Sequence, residues 1–361
     1  MNHVPVSIGN RKTPVTLRSP LALLLLYAAA LPGMPLHAET LRDLAGRRSV
    51  GIGAAVDAKA LRDNAEYRAV LCREFTMVVA ENAMKMWIQQ ERGKFSFSDA
   101  DEIVAFAQSN KMRVRGHTLV WHQSLPRWFM TGSWSRAETL SVLSQHIASV
   151  VGHYKGAVYA WDVVNEAVED DGSMRKTVWL DRIGPDYLDH AFRLAHAADP
   201  KALLFYNDYG AEWPCRKADA ILAMVARMQS NGVPIDGVGF QCHFDCSNYP
   251  APAMFAANMN RFSALGLEVQ VTELDVGVKK PVTDDKRAIQ ARVYRDIIDA
   301  ACRATNCTAI LTWGFTDKYS WKADAEALPF DRAFRPKPAY EAIRNGLKVN
   351  ALHHATTRSH P

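Results

Sequence analysis

Past residue 40 the chain has no apolar run near the roughly 20 residues that a membrane-spanning helix needs. It also has no block rich in lysine and arginine, although its formal net charge is +5. Nucleic-acid binding therefore has little support, and we expect neither a nucleic-acid partner nor a membrane-bound mature protein. The composition, 48% hydrophobic and 22% charged, is that of a globular chain with a large core.

The sequence lacks the motifs of three kinds of functional site: a serine nucleophile, a dinucleotide-binding loop and a structural zinc site. No G-x-S-x-G pattern marks a serine nucleophile. The glycines of GIGAAV are followed by DAKALRDN, which lacks the third glycine of a dinucleotide-binding loop. The six cysteines show none of the paired C-x-x-C spacing of structural zinc sites, so we expect no metal or other cofactor. Six cysteines suit an oxidising compartment, but sequence alone leaves their pairing open.

The first 38 residues have the features of a secretory signal peptide. Arg11, Lys12 and Arg18 precede the apolar stretch LALLLLYAAAL (21–31), and the small residue Ala38 is a candidate cleavage position. The stretch is too short to span a membrane, which favours cleavage over the alternative of an uncleaved anchor. We expect a secreted or periplasmic protein that is a monomer.

Eight apolar segments alternate with segments of helical periodicity over residues 39–349. Strands that are apolar throughout are buried on both faces, and helices between them imply parallel pairing. Eight such units predict a single (β/α)8 TIM barrel of the α/β class, with a doubly wound open sheet as the alternative. The predicted strands are GIGAAV (51–56), TMVVAEN (76–82), MRVRGHTLVW (112–121), YAWDVVNE (159–166), ALLFYND (202–208), GVGFQCHF (237–244), EVQVTELD (268–275) and AILTWGFTD (309–317).

Three of the intervening helices are clear from their periodicity. They are FSDADEIVAFAQSNKM, AETLSVLSQHIASVVGHY and RKADAILAMVARMQSNG. In the first of them, Ser98 or Asp99 is the expected N-cap, because both side chains can accept a hydrogen bond from the first turn.

Polar or aromatic residues lie at nearly every strand end. For one strand a solvated end would explain them, but in a barrel all these ends converge on the face that carries the active site. We therefore expect them to line one cleft. They are Glu81, Asn82, His117, Trp121, Asn165, Glu166, Asn207, Asp208, Gln241, His243, Glu273, Asp275 and Trp313.

Glu166 and Glu273 are the candidate catalytic pair. Cleavage of a glycosidic bond needs one carboxyl group to protonate the leaving oxygen and another to attack or to activate water. Asp275 lies on the same strand face as Glu273, and His243 is expected to bind Glu273 and to be oriented by Asp275. A carboxylate with such partners stays ionised, as a nucleophile must. Glu166 follows an apolar strand, and burial favours the protonated form that a general acid needs.

The tryptophans favour a sugar substrate. Trp121, Trp313 and Trp321 fall at or just after strand ends, with Trp128 and Trp134 nearby. Indole faces can stack on pyranose rings, although tryptophan is equally a core residue. His117 and His122 are five residues apart on a predicted strand and should point to opposite faces, which argues against a shared metal ion.

An ordered series of motifs resembles the family 10 glycoside hydrolases, which are endo-β-1,4-xylanases. The resemblance runs from about residue 50 to about residue 345 and includes both glutamates. The motifs are ENAMK (81–85), GHTLVWH (116–122), WDVVNEA (161–167), YNDY (206–209), GFQCH (239–243), VTELD (271–275), WGFTDKYSW (313–321) and FRPKPAY (334–340).

The resemblance implies a TIM barrel and a retaining double displacement without a metal. Glu166 would be the general acid/base and Glu273 the nucleophile, supported by His243 and Asp275. Asn165 would bind the 2-hydroxyl group beside the broken bond, with Gln241 close to it. A loop disulfide would join Cys302 and Cys307. The remaining substrate-binding residues would be His117, Lys85 and Trp313 around the glycosyl unit that becomes attached, Glu81, Asn82, Trp121 and Trp321 around that unit and the next, and Asn207 toward the leaving group.

The chain departs from the family pattern at three places. Met86 precedes Trp87 where ENAMKW is common, WHQSLPRWF inverts a Ser-Gln order, and GFQCHFDC carries Cys242 and Cys246 beside His243. These changes bear on subsite preference and leave the expected reaction intact. Cleavage of β-1,4-glucan and a non-catalytic sugar-binding barrel are the rival functions. The tail at 350–361 is expected to be disordered.

Overall fold

The protein is described here by a computed structural model that covers residues 39–348. The predicted signal peptide (1–38) and the predicted tail (350–361) lie outside these residues. Within 39–348, no helix combines the length and apolar character needed to cross a bilayer.

In the described part of the chain, nine parallel strands form one closed sheet. Consecutive strands pair from β1 to β6, β6 pairs with β8, β8 pairs with β9, and β9 pairs with β1. The predicted (β/α)8 barrel is thus confirmed, with β7 as an addition on β8. The strands are β1 (Gly51–Val56), β2 (Met77–Ala80), β3 (Arg113–Val120), β4 (Val158–Asn165), β5 (Leu203–Asp208), β6 (Gly237–Phe240), β7 (His243–Asp245), β8 (Glu268–Gly277) and β9 (Cys307–Thr312).

Two predicted strands differ from the structure. GVGFQCHF is broken into β6 and β7 because Cys242 takes a left-handed conformation with φ 61°, which a continuous strand cannot contain. AILTWGFTD ends at Thr312, so Trp313 lies in the loop after β9. Both differences occur at the carboxyl end of the barrel, where backbone bends aim side chains into the cleft.

Helices surround the barrel and fill the connections between strands. The first predicted helix has Phe97 at its N-cap with no side-chain cap, so Ser98 and Asp99 were wrong as caps and lie inside the helix. By contrast, Ser135 and Glu138 form a reciprocal capping box at the start of α6. The helices are α1 (Leu41–Arg48), α2 (Ala58–Asp63), α3 (Ala65–Glu74), α4 (Ser98–Ser109), α5 (Arg127–Thr131), α6 (Arg136–His153), α7 (Val178–Ile183), α8 (Tyr187–Ala198), α9 (Arg216–Ser230), α10 (Pro252–Ser263), α11 (Asp284–Arg303) and α12 (Pro338–Lys348), with short 3-10 turns at Met86–Ile88 and Ala323–Ala325.

The barrel interior is packed, with an ion pair beneath the active face. Arg115 is fully buried, donates to both carboxylate oxygens of Asp162 and to Gln270, and lies over the ring of Phe205. Because the pair is hydrogen-bonded on both sides, its charges are compensated inside the low-dielectric barrel. Buried apolar side chains of three other strands pack together in a cluster of their own, which includes Ala55, Met77, Val79, Ala309 and Leu311.

All six cysteines are free thiols in the structure. The Cys302–Cys307 bridge that the resemblance implies is therefore not formed there. Cys302 lies at the end of α11 and Cys307 at the start of β9.

Candidate active site

A cleft of about 580 Å³ opens at the carboxyl end of the barrel. Its size is that of an ordinary small-ligand site. Most of the strand-end residues predicted from sequence converge here, as the barrel topology requires. The prediction was wrong for Asn207, Asp208 and Asp275, which are buried behind the lining side chains. The lining residues are Glu81, Asn82, Lys85, His117, Trp121, His122, Gln123, Asn165, Glu166, Arg175, Tyr209, Gln241, His243, Glu273, Trp313 and Trp321.

Glu166 lies just after β4 and is held by three N–H donors. Trp121 Nε1 donates to Oε2 at 2.9 Å, and Oε1 accepts from Gln241 Nε2 at 3.0 Å and from Asn165 Nδ2 at 3.1 Å. The residue is 8% exposed. Arg175 donates to its backbone carbonyl, at 2.8 Å, rather than to its carboxylate. The carboxyl group is thus oriented by neutral groups, and no cation of the described part of the chain is bonded to it.

Glu273, on β8, has a cation at hydrogen-bond distance. His243 Nε2 lies 3.2 Å from Oε2 of Glu273, and His243 Nδ1 lies 2.9 Å from Oδ2 of Asp275. Burial alone would lower the pKa of His243, but the carboxylates of Asp275 and Glu273 outweigh it and raise that pKa to about 10. His243 is therefore an imidazolium at neutral pH, with one N–H directed at each carboxylate. The predicted contact of His243 with both residues is confirmed.

Two asparagine amides connect the catalytic candidates. Asn207 Nδ2 lies 2.7 Å from Glu273 Oε1 and 2.8 Å from Asn165 Oδ1, while Asn165 Nδ2 donates to Glu166. The Thr272 hydroxyl donates to Oδ1 of Asn207 at 2.7 Å, which fixes the orientation of that side-chain amide. Asn207 is fully buried, and its expected place toward the leaving-group side of the substrate stays a prediction.

Asp275 is also buried and joins the cleft wall to His243. Trp321 Nε1 donates to Oδ2 at 2.8 Å and Lys322 Nζ to Oδ1 at 2.7 Å. Burial opposes ionisation of Asp275, but the charges of His243 and then Lys322 hold its pKa below the usual value. The indole of Trp321 is 57% exposed, so a fixed N–H leaves its ring open to the cleft.

The wall beside Glu273 combines a buried ammonium group with aromatic rings. Lys85 Nζ donates to Asn82 Oδ1 at 2.8 Å and lies 4.9 Å from the centre of the Trp121 ring. Burial lowers the pKa of Lys85, and three nearby glutamates oppose the shift. One of these, Glu81, has its pKa raised to about 7, mainly by burial. Hydrogen-bonding groups beside apolar rings can bind the hydroxyl groups and ring faces of a sugar.

His117 also belongs to this wall. Its Nδ1 lies 3.0 Å from Asp162 Oδ2, and its ring meets Trp313 edge-on at 5.0 Å. Trp313 is 8% exposed and forms part of the cleft floor. The Arg115–Asp162 ion pair thus orients a side chain of the cleft from below.

A comparison with protein families gives a match over nearly all of the described chain. The model described as glycosyl hydrolase family 10 matches residues 40–346. The chain belongs to this family. The matched region spans the whole barrel and includes both Glu166 and Glu273.

Relatives of this family 10 chain are named for activity on xylan. Endo-1,4-beta-xylanase B of Thermotoga neapolitana is 41% identical, over 90% of this chain and 96% of its own length. Endo-1,4-beta-xylanase 1 of Humicola insolens is 39% identical, over 90% of this chain and 77% of its own length. The crystal structure of xylanase 10B from Thermotoga petrophila in complex with xylobiose has 41% identity and a TM-score of 0.84, covering 86% of this chain and 98% of its own.

Four cleft residues of this family 10 hydrolase were not among the predicted site residues. Tyr209 directly follows β5, so its position at a strand end was a usable signal, and His122 and Gln123 follow β3 in the same way. Arg175 carried no such signal, because it lies in the long β4–α7 loop, ten residues past the strand end. Its guanidinium donates to Glu166 and to the Tyr209 hydroxyl, at 3.0 Å for the latter.

The histidines lie differently from the prediction. His117 and His122 both line the cleft, because β3 ends at Val120 and the period-two alternation stops before His122. In the described residues no three His, Cys, Asp or Glu side chains are arranged as a metal site. Trp128 and Trp134 pack away from the cleft, edge-on to each other at 5.8 Å, with their N–H groups on the carbonyls of Gln89 and Phe129.

Proposed function

We propose that this family 10 chain is an endo-β-1,4-xylanase that hydrolyses internal xylosidic bonds of xylan with retention of configuration. One observation carries the assignment of roles: Glu273 bonds to the imidazolium of His243, whereas within residues 39–348 the carboxylate of Glu166 bonds to neutral donors. A neighbouring cation favours an ionised carboxylate. Glu273 is thereby suited to attack carbon, and we assign the proton transfer to Glu166, the other carboxyl group of the pair.

In the first step a carboxylate oxygen of Glu273 forms a bond to the anomeric carbon. The bond from that carbon to the glycosidic oxygen breaks, and Glu166 gives its proton to this oxygen as the shortened chain leaves. Asn207 and His243 direct N–H groups at the two oxygens of Glu273 and orient it for attack. Asn165 is placed between the two carboxyl groups, where it can bind the 2-hydroxyl group of the sugar.

In the second step Glu166 acts as a general base. It takes a proton from water, whose oxygen attacks the anomeric carbon and displaces Glu273. Two inversions at one carbon give net retention. The reaction needs two carboxyl groups and water, so no cofactor is part of the proposal.

The cleft and the relatives support xylan as the substrate. Trp121, Trp313 and Trp321 provide apolar surface beside the polar groups of Glu81, Asn82 and Lys85. The two relatives described above carry the name endo-1,4-beta-xylanase. An open cleft, rather than a closed pocket, suits cleavage within a chain.

The deciding measurement is kcat/KM for an aryl β-xylobioside and for the matching aryl β-cellobioside. We expect a strong preference for the xylobioside in the intact protein. Glu273→Ala should abolish turnover while binding of xylo-oligosaccharides survives, because only the nucleophile is removed. The isosteric Glu273→Gln controls for the loss of side-chain volume.

Other outcomes of that assay would change the proposed function or the proposed role of Glu273. Equal rates on the two substrates would mean a broader β-1,4-glycanase. Absence of turnover by the intact protein would support the sugar-binding alternative, and full activity of Glu273→Ala would remove Glu273 from the mechanism.

We also propose that the protein is exported, with residues 1–38 removed, and acts as a monomer. The order of basic, apolar and small residues in this segment supports export. N-terminal sequencing of the protein recovered outside the cytoplasm tests the cleavage. Light scattering on the purified protein tests the monomer.

A Cys302–Cys307 disulfide is part of the export proposal. Cys302 lies at the end of α11 and Cys307 at the start of β9, on either side of a short loop, which supports their pairing. Oxidation outside the cytoplasm would join them. Peptide mass mapping without reduction tests the pairing, and two free thiols at these positions would refute it.

A further inference from the structure

Two residues next to the reacting groups have a left-handed backbone although neither is glycine. Glu166 has φ 58° and Cys242 has φ 61°. Both are buried, at the carboxyl ends of β4 and β6. An L-residue is strained in this conformation, and the strain persists only where the surroundings hold it.

The peptide after Glu166 is held by a buried tyrosine and a buried carboxylate. The N–H of Ala167 donates to the Tyr206 hydroxyl at 2.9 Å, and that hydroxyl donates its only hydrogen to Asp208. Because the hydrogen is engaged by Asp208, only the lone pairs of the hydroxyl remain for Ala167. Lys217 Nζ lies 3.0 Å from the other oxygen of Asp208 and fixes the carboxylate in turn.

The corner at Cys242 is held by a second buried carboxylate. The N–H of Cys242 donates to Glu212 Oε1 at 2.9 Å. On one side of this corner Gln241 donates to Glu166, and on the other side His243 binds Glu273. The orientation of one peptide therefore sets the direction of both supporting side chains.

Asp208 and Glu212 come from the end of β5 and the loop that follows it, and neither lines the cleft. Burial raises the pKa of Asp208 to about 7, against the charge of Lys217, and burial also raises the pKa of Glu212. Keeping two such carboxyl groups inside the protein is unfavourable. Glu212 binds the corner at Cys242 directly and Asp208 reaches the corner at Glu166 through Tyr206, which gives a reason for their presence.

We propose that Asp208 and Glu212 are positioning residues for catalysis, which hold the backbone corners at Glu166 and Cys242. They thereby set the angles at which Glu166 and, through His243, Glu273 meet the glycosidic bond. The proposal rests on the xylanase function proposed above. The alternative is that both carboxyl groups only stabilise the folded protein.

Variants at each corner, with a matched control elsewhere, separate these possibilities. Tyr206→Phe removes the acceptor of the Ala167 N–H, and Asp208→Asn weakens the group that orients it. Glu212→Met removes the acceptor at Cys242, whereas Glu212→Gln keeps a neutral one as the conservative rescue. The control is Glu74→Met: Glu74 is equally buried and accepts the N–H of Leu41 and the hydroxyl of Tyr340, both at 3.0 Å, outside the cleft.

The readouts are kcat and KM on aryl β-xylobiosides with good and poor leaving groups, together with Tm. A displacement of about 1 Å can cost about 100-fold in rate, so we expect kcat losses of about 10- to 100-fold with KM nearly unchanged. Tyr206→Phe and Asp208→Asn should lose most on the poor leaving group, because they misplace the proton donor. Glu212→Met should lose on both substrates, and Glu212→Gln should recover most of the rate.

The control decides how a loss is interpreted. Glu74→Met should lower Tm and leave kcat at the wild-type value. Equal kcat losses in Glu74→Met and Glu212→Met, or wild-type kcat in folded corner variants, would overturn the proposal. If Glu212→Met does not fold, wild-type leaving-group dependence in Tyr206→Phe and Asp208→Asn overturns it. Wild-type turnover is measured first, so failure of the xylanase function is distinguished from failure of the positioning role.

Discussion

Two glutamates of identical chemistry differ here because their immediate neighbours differ. Glu273 lies against an imidazolium whose pKa two carboxylates raise to about 10. Glu166 accepts three hydrogen bonds from neutral donors and has its backbone, rather than its carboxylate, bound by Arg175. The proposed division between nucleophilic attack and proton transfer thus rests on one charged contact.

Glu166→Ala should show which step needs the proton donor. With a poor leaving group we expect kcat/KM to fall by about 100-fold or more, as for loss of a general acid. With an activated aryl leaving group the loss should be much smaller, because that oxygen departs without a proton. Equal losses on the two substrates would remove the acid role from Glu166.

His146, in α6, is a residue at which pH should act on stability. It is fully buried, and neither ring nitrogen has a hydrogen-bond partner within residues 39–348. Burial lowers its pKa from 6.5 to about 4. Between pH 6.5 and pH 4 the unfolded chain binds a proton at His146 that the folded protein does not bind. The free energy of unfolding therefore decreases as the pH falls.

Replacing His146 by leucine removes this proton uptake. From pH 7 to pH 5 the wild type should lose about 2 kcal/mol more free energy of unfolding than His146→Leu does. Urea unfolding at the two pH values measures the difference, with the exposed His196→Leu of α8 as the control. Parallel losses in the wild type and His146→Leu would contradict the expectation.

At the scale of secondary structure, the strands carry the candidate functional side chains at their carboxyl ends and buried core side chains along their length. The eight predicted strands all exist, since runs buried on both faces are strong signals. The misplaced ends are those where the backbone bends, at Cys242 and at Trp313. A bend depends on contacts with other strands, which the local pattern does not contain.

Gly116 in β3 tests how tightly neighbouring strands pack. A Cβ atom there would lie 2.2 Å from Cε3 of Trp161, which is fully buried on β4. Gly116→Ala should therefore lower the free energy of unfolding by at least about 1–3 kcal/mol. The control Gly152→Ala, in α6 with no atom within 4 Å, should raise it by about 0.5–1 kcal/mol. Similar effects of both changes on urea unfolding would contradict this packing.

At the scale of the whole molecule, the ends of the described chain meet and close the helical layer. Tyr340 of α12 donates to Glu74 at 3.0 Å, and Arg344 donates to the carbonyl of Glu39 at 3.0 Å. A further contact joins the two ends: Arg48 of α1 donates to the backbone carbonyl of Leu347 in α12 at 2.9 Å. The first and last helices thus form one packed unit on α3 and α11.

Truncation tests the contribution of this closure. A chain ending at Lys348 should keep the Tm and kcat of the full protein. A chain ending at Lys337 lacks α12 and the buried side chains of Tyr340, Ile343 and Leu347. Losing large core side chains costs about 2–5 kcal/mol each, which together rivals the stability of a typical domain, so we expect loss of cooperative unfolding. An unchanged Tm in the shorter chain would refute the argument.

Much of the fold and of the candidate site could be predicted from the local amino-acid sequence. Apolar runs at regular spacing predicted the barrel, and the carboxyl ends of those runs marked Glu166, Glu273, His243 and Asp275, because a barrel brings such ends to one face. The buried position of Asn207, the approach of Arg175 from a distant loop and the left-handed corners held by Asp208 and Glu212 needed the folded chain. These features depend on hydrogen bonds between different strands and loops, and the geometry of such bonds exists only once the barrel has closed.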